Sequence, residues 1–77
     1  MSREYLEYRD GKSAKFWEAS LEDRAIKLKW GKIGAAGTEK LIEFGDDKEA
    51  LNEFVGKIEE KIKSQYQPSF KSREFNL

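Results

Sequence analysis

The residues best placed to do chemistry lie in one stretch, Leu28-Lys29-Trp30-Gly31-Lys32-Ile33-Gly34-Ala35-Ala36-Gly37, where a tryptophan stands among lysines and three glycines recur at every third position. An indole ring can stack on a base or sugar, and lysine ammonium groups neutralise phosphates. Glycines at this spacing let the backbone reverse or approach a ligand closely, because positive φ costs them little. Carboxylate pairs occur at Asp46-Asp47 and Glu59-Glu60, but the first suits a helix start and the second a solvated helix face. The chain has no histidine and no cysteine. The commonest general base, the imidazole metal ligand, thiolate sites and disulfides are therefore all missing. No serine has a histidine to activate it, so the expectation is a non-enzymatic chain with no cofactor and no metal.

The glycine pattern also excludes some ligands. A P-loop needs Gly-Lys-Ser/Thr opening a helix, and the dinucleotide fingerprint sits between a strand and a helix. Gly31-Lys32-Ile33-Gly34 matches the GXXG of KH domains, but here the flanks read as strands. Two readings stand: hairpin geometry alone, or a nest of backbone amides for an anion. Trp30 is open in the same way. Its phase with Ile26 and Leu28 sends it into the core, while its place at the strand end lets a bulge or twist free one ring face.

Charge is balanced overall, 15 Lys and Arg against 15 Asp and Glu, so no net charge steers the molecule to nucleic acid or lipid. Locally the balance breaks. From Arg24 to Lys40 the five cations Arg24, Lys27, Lys29, Lys32 and Lys40 meet only Glu39, and residues 41 to 60 are acidic in turn. No apolar run reaches the roughly 20 residues of a membrane span or forms a signal sequence. The expectation is a cytoplasmic protein without a membrane partner.

The elements that must position these residues follow from periodicity. Arg3 to Asp10 reads as a strand, Asp10-Gly11 as a turn, and Lys15 to Leu21 as a strand with Trp17, Ala19 and Leu21 on one face and Phe16, Glu18 and Ser20 on the other. One of Phe16 and Trp17, expected to be Trp17, is core; the other is covered by the N-terminal strand or a partner. After a polar reversal at Leu21 to Arg24, Ile26, Leu28 and Trp30 alternate with Lys27 and Lys29, the pattern of an antiparallel sheet wetted on one side. Thr38 to Phe44 is a fourth strand, with Ile42 and Phe44 opposed to Leu41 and Glu43.

Asp46 and Glu49 fit a capping box. Leu51, Phe54, Val55, Ile58 and Ile62 then recur at helical period as the expected buried stripe. Glu53–Lys57 and Glu59–Lys63 are spaced as i,i+4 ion pairs. Gly56, costing about 1 kcal/mol in a helix interior, is expected to mark close packing on the sheet. Pro68 ends the helix near Gln65. Residues 67–77, with Phe70, Phe75 and Leu77, read as a short added strand, a docking arm or a frayed tail. The fold class expected is α+β: an antiparallel sheet of four or five strands with one long C-terminal helix packed on one face. The domain spans residues 1–66, with 67–77 as a tail or short added strand.

Phe16-Trp17-Glu18, the Lys29 to Gly37 stretch, Glu49-Ala50-Leu51-x-x-Phe54 and Glu60-Lys61 with Tyr66, in that order and spacing, resemble a WGR domain over nearly all of residues 4–66. The family occurs in poly(ADP-ribose) polymerases, in bacterial proteins resembling the molybdate metabolism regulator, and as small free-standing bacterial proteins. In the polymerases it helps recognise DNA breaks. The resemblance implies Trp30 against the sugar of a terminal nucleotide and Lys32 as a basic contact to nucleic acid or a neighbouring domain. Three positions depart from the pattern. Lys32 replaces an arginine and lacks its planar fork, Thr38 stands where a glutamine is frequent, and Gln65 replaces a frequent glycine.

The expected function is sequence-independent binding of nucleic acid, DNA ahead of RNA, at ends or backbone, through Trp30, Gly31, Lys32 and Gly34 with Lys29 and Lys27 beside them. The alternative is a protein-interaction module or homodimer.

Overall fold

Residues 2–68 are described by the computed structural model. Asp10 makes the first hairpin. Its Oδ1 accepts from the amides of Lys12 (2.8 Å) and Ser13 (2.7 Å), and its own amide donates to the Ser13 carbonyl at 2.9 Å, so an Asx turn reverses the chain between β1 (Ser2–Arg9) and β2 (Ala14–Glu22). Asp23 makes the second reversal at φ 54°, a left-handed conformation that Asp tolerates better than most residues. It leads into β3 (Ala25–Lys32), and the glycine loop joins β3 to β4 (Thr38–Glu43).

All pairings are antiparallel, and the strand order is β4-β3-β2-β1-β5, where β5 is Gln67–Pro68 beside Leu6 and Glu7. Between β4 and β5 the chain crosses one sheet face as α1 (Asp47–Lys63). A five-stranded antiparallel sheet with one helix packed on it is the α+β fold that the periodicity predicts. Expectations for residues 69–77, including Phe70, Phe75 and Leu77, lie outside the described residues.

The core lies between the helix and this sheet face. Leu6, Trp17, Ala19, Ile26 and Leu28 meet Phe54 from α1, and Leu6 and Ile26 are wholly buried, each contributing about 1.5–3 kcal/mol by transfer from water. The other face holds a smaller cluster. Phe16 and Tyr5 stack with ring centroids 5.9 Å apart and are both buried, so Trp17 is core and the N-terminal strand covers Phe16.

The helix starts as predicted, with the Glu49 amide donating to Asp46 Oδ1 at 2.7 Å. The reciprocal bond is shifted by one residue: Glu49 Oε1 accepts from the amide of Gly45 (3.0 Å), not from Asp46. The buried stripe is rotated from the predicted one. Ala50 and Phe54 are buried and Ile58 half-buried, while Leu51, Val55 and Ile62 each keep almost half their surface exposed. Gly56 is not at a close approach either, for a Cβ there would meet nothing within 4 Å. Hydropathy misplaces the stripe because Ala50, small and only mildly apolar, is fully buried where Leu51 is not.

The expected ion pairs Glu53–Lys57 and Glu59–Lys63 are not formed among the described residues. At the far end Ser64 is the C-cap, and a Schellman motif closes on Tyr66 N–H to Lys61 O (3.0 Å) and Gln65 N–H to Ile62 O (3.1 Å). Gln65 sits at φ 76°, in the conformation that glycine usually fills.

Candidate nucleic-acid interface

Gly31 and Gly37 allow two backbone segments to cross over the Phe16 ring. A Cβ on Gly37 would lie 2.5 Å from the Trp30 carbonyl oxygen and 2.8 Å from Phe16 Cζ, and one on Gly31 would lie 2.9 Å from Gly37 Cα. Gly34 has open space around it but turns the loop at φ 95°, beside the Ala35 N–H to Lys32 O bond of 3.0 Å. Hairpin geometry therefore accounts for all three glycines.

The pleat divides the candidate side chains between the two sheet faces. Lys27 and Lys29 point away from the helix. Lys27 Nζ is 3.2 Å from Glu39 Oε1, and Lys29 lies directly opposite Glu18 on β2 and Glu39 on β4. Across the same face, Arg3 pairs with Glu18. Tyr5 donates to Glu7 Oε2 at 2.9 Å, and burial together with that carboxylate pushes its phenol up to about 12. Lys27 and Lys29 thus share this face with Glu18 and Glu39, Lys27 in an ion pair and Lys29 without one among the described residues.

Trp30 and Lys32 occupy the helix face. Trp30 is directly opposite Trp17, and Lys32 directly opposite Lys15. The two tryptophans differ in access: Trp17 is 4% exposed and Trp30 37%. Trp30 thus lies in phase with the core row of β3 but outside the core, so the strand end, not the core, sets its exposure. Beside it a cavity of about 310 Å³ opens between sheet and helix, floored by Trp17, Leu28 and Trp30. Lys57, Glu60 and Lys61 from α1 form its other wall, with Lys15 and Tyr66 at its margin. Lys61 Nζ lies 5.2 Å from the Tyr66 ring centroid and 6.0 Å from that of Trp17, and Lys15 Nζ lies 5.0 Å from the Tyr8 ring. Tyr8 and Tyr66 touch, with centroids 5.6 Å apart.

Lys15, Lys32, Lys57 and Lys61 form no ion pair among the described residues. One end of the molecule therefore combines a partly exposed indole, a tyrosine and four lysines with a single carboxylate at the cavity. Sequence reasoning missed Lys15, Lys57, Lys61 and Tyr66. The β2–β3 register would have shown Lys15, but the helical pair needed the true phase of α1. Among the described residues no group of acids could hold a metal ion, and no helix is long and apolar enough to cross a membrane.

Comparison with known proteins agrees with this architecture. A crystal structure of a protein from Bacteroides fragilis superposes with a TM-score of 0.87 at 26% identity, covering 91% of this chain. The chain spans only 20% of that protein's length. Among curated proteins, none matches. The family model for the WGR domain matches residues 2–73, almost the whole chain, and this chain belongs to the WGR domain family.

Proposed function

We propose that this chain is a non-enzymatic module that binds DNA ends or backbone without reading sequence, using the sheet-end surface around Trp30. The observation that carries the reading is the meeting of a partly exposed Trp30 with Lys15, Lys57 and Lys61 at one cavity, with Lys32 directly opposite Lys15 on the neighbouring strand. Family membership supports it, since WGR domains are known as nucleic-acid-binding modules. Indole stacking contributes about 1–3 kcal/mol per base, and unpaired lysines gain affinity by releasing counterions from phosphates. Lysine acts as a point charge rather than a base-reading fork, which suits backbone recognition. In this reading Trp30 and Lys32 take the leading roles, with Lys15, Lys57 and Lys61 beside them. Lys27 and Lys29, on the opposite face among Glu18 and Glu39, contribute little.

The test is fluorescence anisotropy of a 5′-phosphorylated duplex at low salt. Binding is expected, with marked loss in Trp30→Ala and Lys32→Glu proteins that keep the native circular dichroism. A folded wild-type protein that binds no DNA at low salt, or variants that bind as well as wild type, would overturn the proposal. Self-association has one observation in its favour, the exposed Leu51, Val55 and Ile62 on α1. Light scattering over a dilution series separates a dimer from a monomer of constant mass.

A further inference from the structure

β4 forms an edge of the sheet along its whole length. The amide of Phe44 donates to the Arg24 carbonyl at 2.8 Å, in the register that pairs Ala25 with Glu43 and Trp30 with Thr38. Bonded and non-bonded pairs alternate along an antiparallel ladder. Thr38, Lys40 and Ile42 therefore bond to β3, and Glu39, Leu41 and Glu43 turn their N–H and C=O groups outward. Among the described residues no hydrogen bond reaches those outward groups. At the opposite edge of the sheet, β1 already has β5 beside Leu6 and Glu7. The side chains of Glu39, Leu41 and Glu43 share the sheet face away from the helix. Leu41, between the two carboxylates, is 62% exposed, more than any other large apolar side chain among the described residues.

We infer that β4 takes up an extended protein segment as a further antiparallel strand, with basic side chains opposite Glu39 and Glu43 and an apolar one opposite Leu41.

In strand addition the backbone bonds supply affinity and the alternate side chains supply specificity. Charge decides which strand fits. A second copy of β4 fits poorly: the antiparallel register that uses all three outward residues of both strands sets Leu41 against Leu41 and Glu39 against Glu43 twice. Like charges directly opposite each other destabilise a sheet. A segment that alternates lysine, an apolar residue and lysine turns both repulsions into attractions. Glu43 is open to such a partner, having no ion pair among the described residues, and Glu39 has only the exposed Lys27. The same carboxylates repel phosphate, so this edge and the cavity beside Trp30 take different partners.

The probe is acetyl-Lys-Thr-Val-Thr-Lys-amide, titrated at low salt into the isotope-labelled full chain and followed by amide chemical shifts. Saturable shifts are expected below about 5 mM peptide, largest at Glu39, Leu41 and Glu43. Methylating the valine nitrogen removes its bond to the Leu41 carbonyl and should weaken binding about fivefold or more. Glutamate in place of both peptide lysines should weaken it about threefold or more, and so should Glu43→Lys in the protein. Leu41→Pro removes an outward N–H that the β3 ladder does not use, a substitution edge strands accept, and should abolish binding. The inference is overturned by the absence of saturable shifts, by shifts centred away from β4, or by undiminished binding of the methylated peptide or of a folded Glu43→Lys protein. Light scattering that finds a dimer for wild type and a monomer for folded Leu41→Pro overturns it as well, since a second copy would then occupy the edge.

Discussion

Gly37 shows how one residue holds the candidate site in place. Its Cα lies where a side chain would strike both the Trp30 carbonyl and the Phe16 ring, at φ 81°. Gly34 shares the left-handed backbone but has empty space around it. Alanine is therefore expected to cost about 1–2 kcal/mol at Gly34, from backbone strain alone, and about 1–3 kcal/mol more at Gly37. Thermal or urea unfolding of the two variants checks the order, and equal losses would refute the crossing-over-Phe16 account.

Tyr5 makes a second residue-scale prediction. Its phenol is raised to about 12 by burial and by the Glu7 carboxylate, against an ordinary value near 10. A group whose folded value is raised stabilises the fold fully below the unfolded value. Stability is lost as pH climbs from about 10 through about 12. Tyr5→Phe keeps the stacking on Phe16 and removes this titration. Wild type minus Tyr5→Phe stability should therefore fall between pH 9 and pH 11.5, and a difference constant over that range would contradict the assignment. Asp10 acts at the other extreme: its hydrogen bond from Tyr8, then those from the Lys12 and Ser13 amides, hold its carboxyl below the ordinary range, so the first hairpin loses support only in strong acid.

The helix is the element in which local sequence and global fold agree least. Its start follows local rules, with Asp46 capping Glu49, and so does its end, where the hydrogen bonds of a Schellman motif form although Gln65 stands at the left-handed position. Between them Gly56 faces solvent with no neighbour to require it. Gly56→Ala is expected to stabilise by about 0.5–1 kcal/mol, and Gln65→Gly by up to about 1 kcal/mol through relief of the left-handed backbone. Denaturant melts decide both, and a destabilised Gly56→Ala protein would mean that something packs on that face in solution. Of the predicted stripe Phe54 and Ile58 pack on the sheet while Leu51, Val55 and Ile62 do not, because hydropathy cannot tell which apolar residues the sheet will cover. Ala50 is buried and Leu51 is not.

At the scale of the whole molecule, zero net charge conceals an uneven distribution. On the open sheet face Lys27 and Arg3 are ion-paired with Glu39 and Glu18, and Lys29 stands opposite both glutamates without an ion pair of its own, whereas Lys15, Lys32, Lys57 and Lys61 have no acid within ion-pair distance among the described residues. DNA affinity should accordingly fall with salt. If three of these lysines contact phosphate, the plot of log affinity against log salt should have a slope near about −2.7. Charge reversal at Lys15 or Lys32 is expected to reduce that slope by about one each, and reversal at Lys27 to leave it almost unaltered. Anisotropy titrations at three or more salt concentrations measure it. A slope changed more by Lys27→Glu than by Lys32→Glu would move the site to the other face.

Four strands, the Asp10-Gly11 turn, the polar reversal at Leu21 to Arg24, the capped helix and the likeness to the WGR family were legible in the chain itself, because alternation, turn chemistry and caps are local and each residue's preference agrees with its neighbours'. The sequence also singled out Trp30 and the glycine loop. Which lysines stand near Trp30 follows instead from packing across the sheet and the helix. Spacing along the chain placed Lys27 and Lys29 next to it, but successive strand residues point to opposite faces, and cross-strand glutamates occupy that side. Lys15 comes to the cavity beside Trp30 through the β2–β3 register, and Lys57 and Lys61 through the rotation of α1 about its axis. Both are set by packing between segments distant in sequence, where a small residue such as Ala50 outweighs the hydropathy of Leu51.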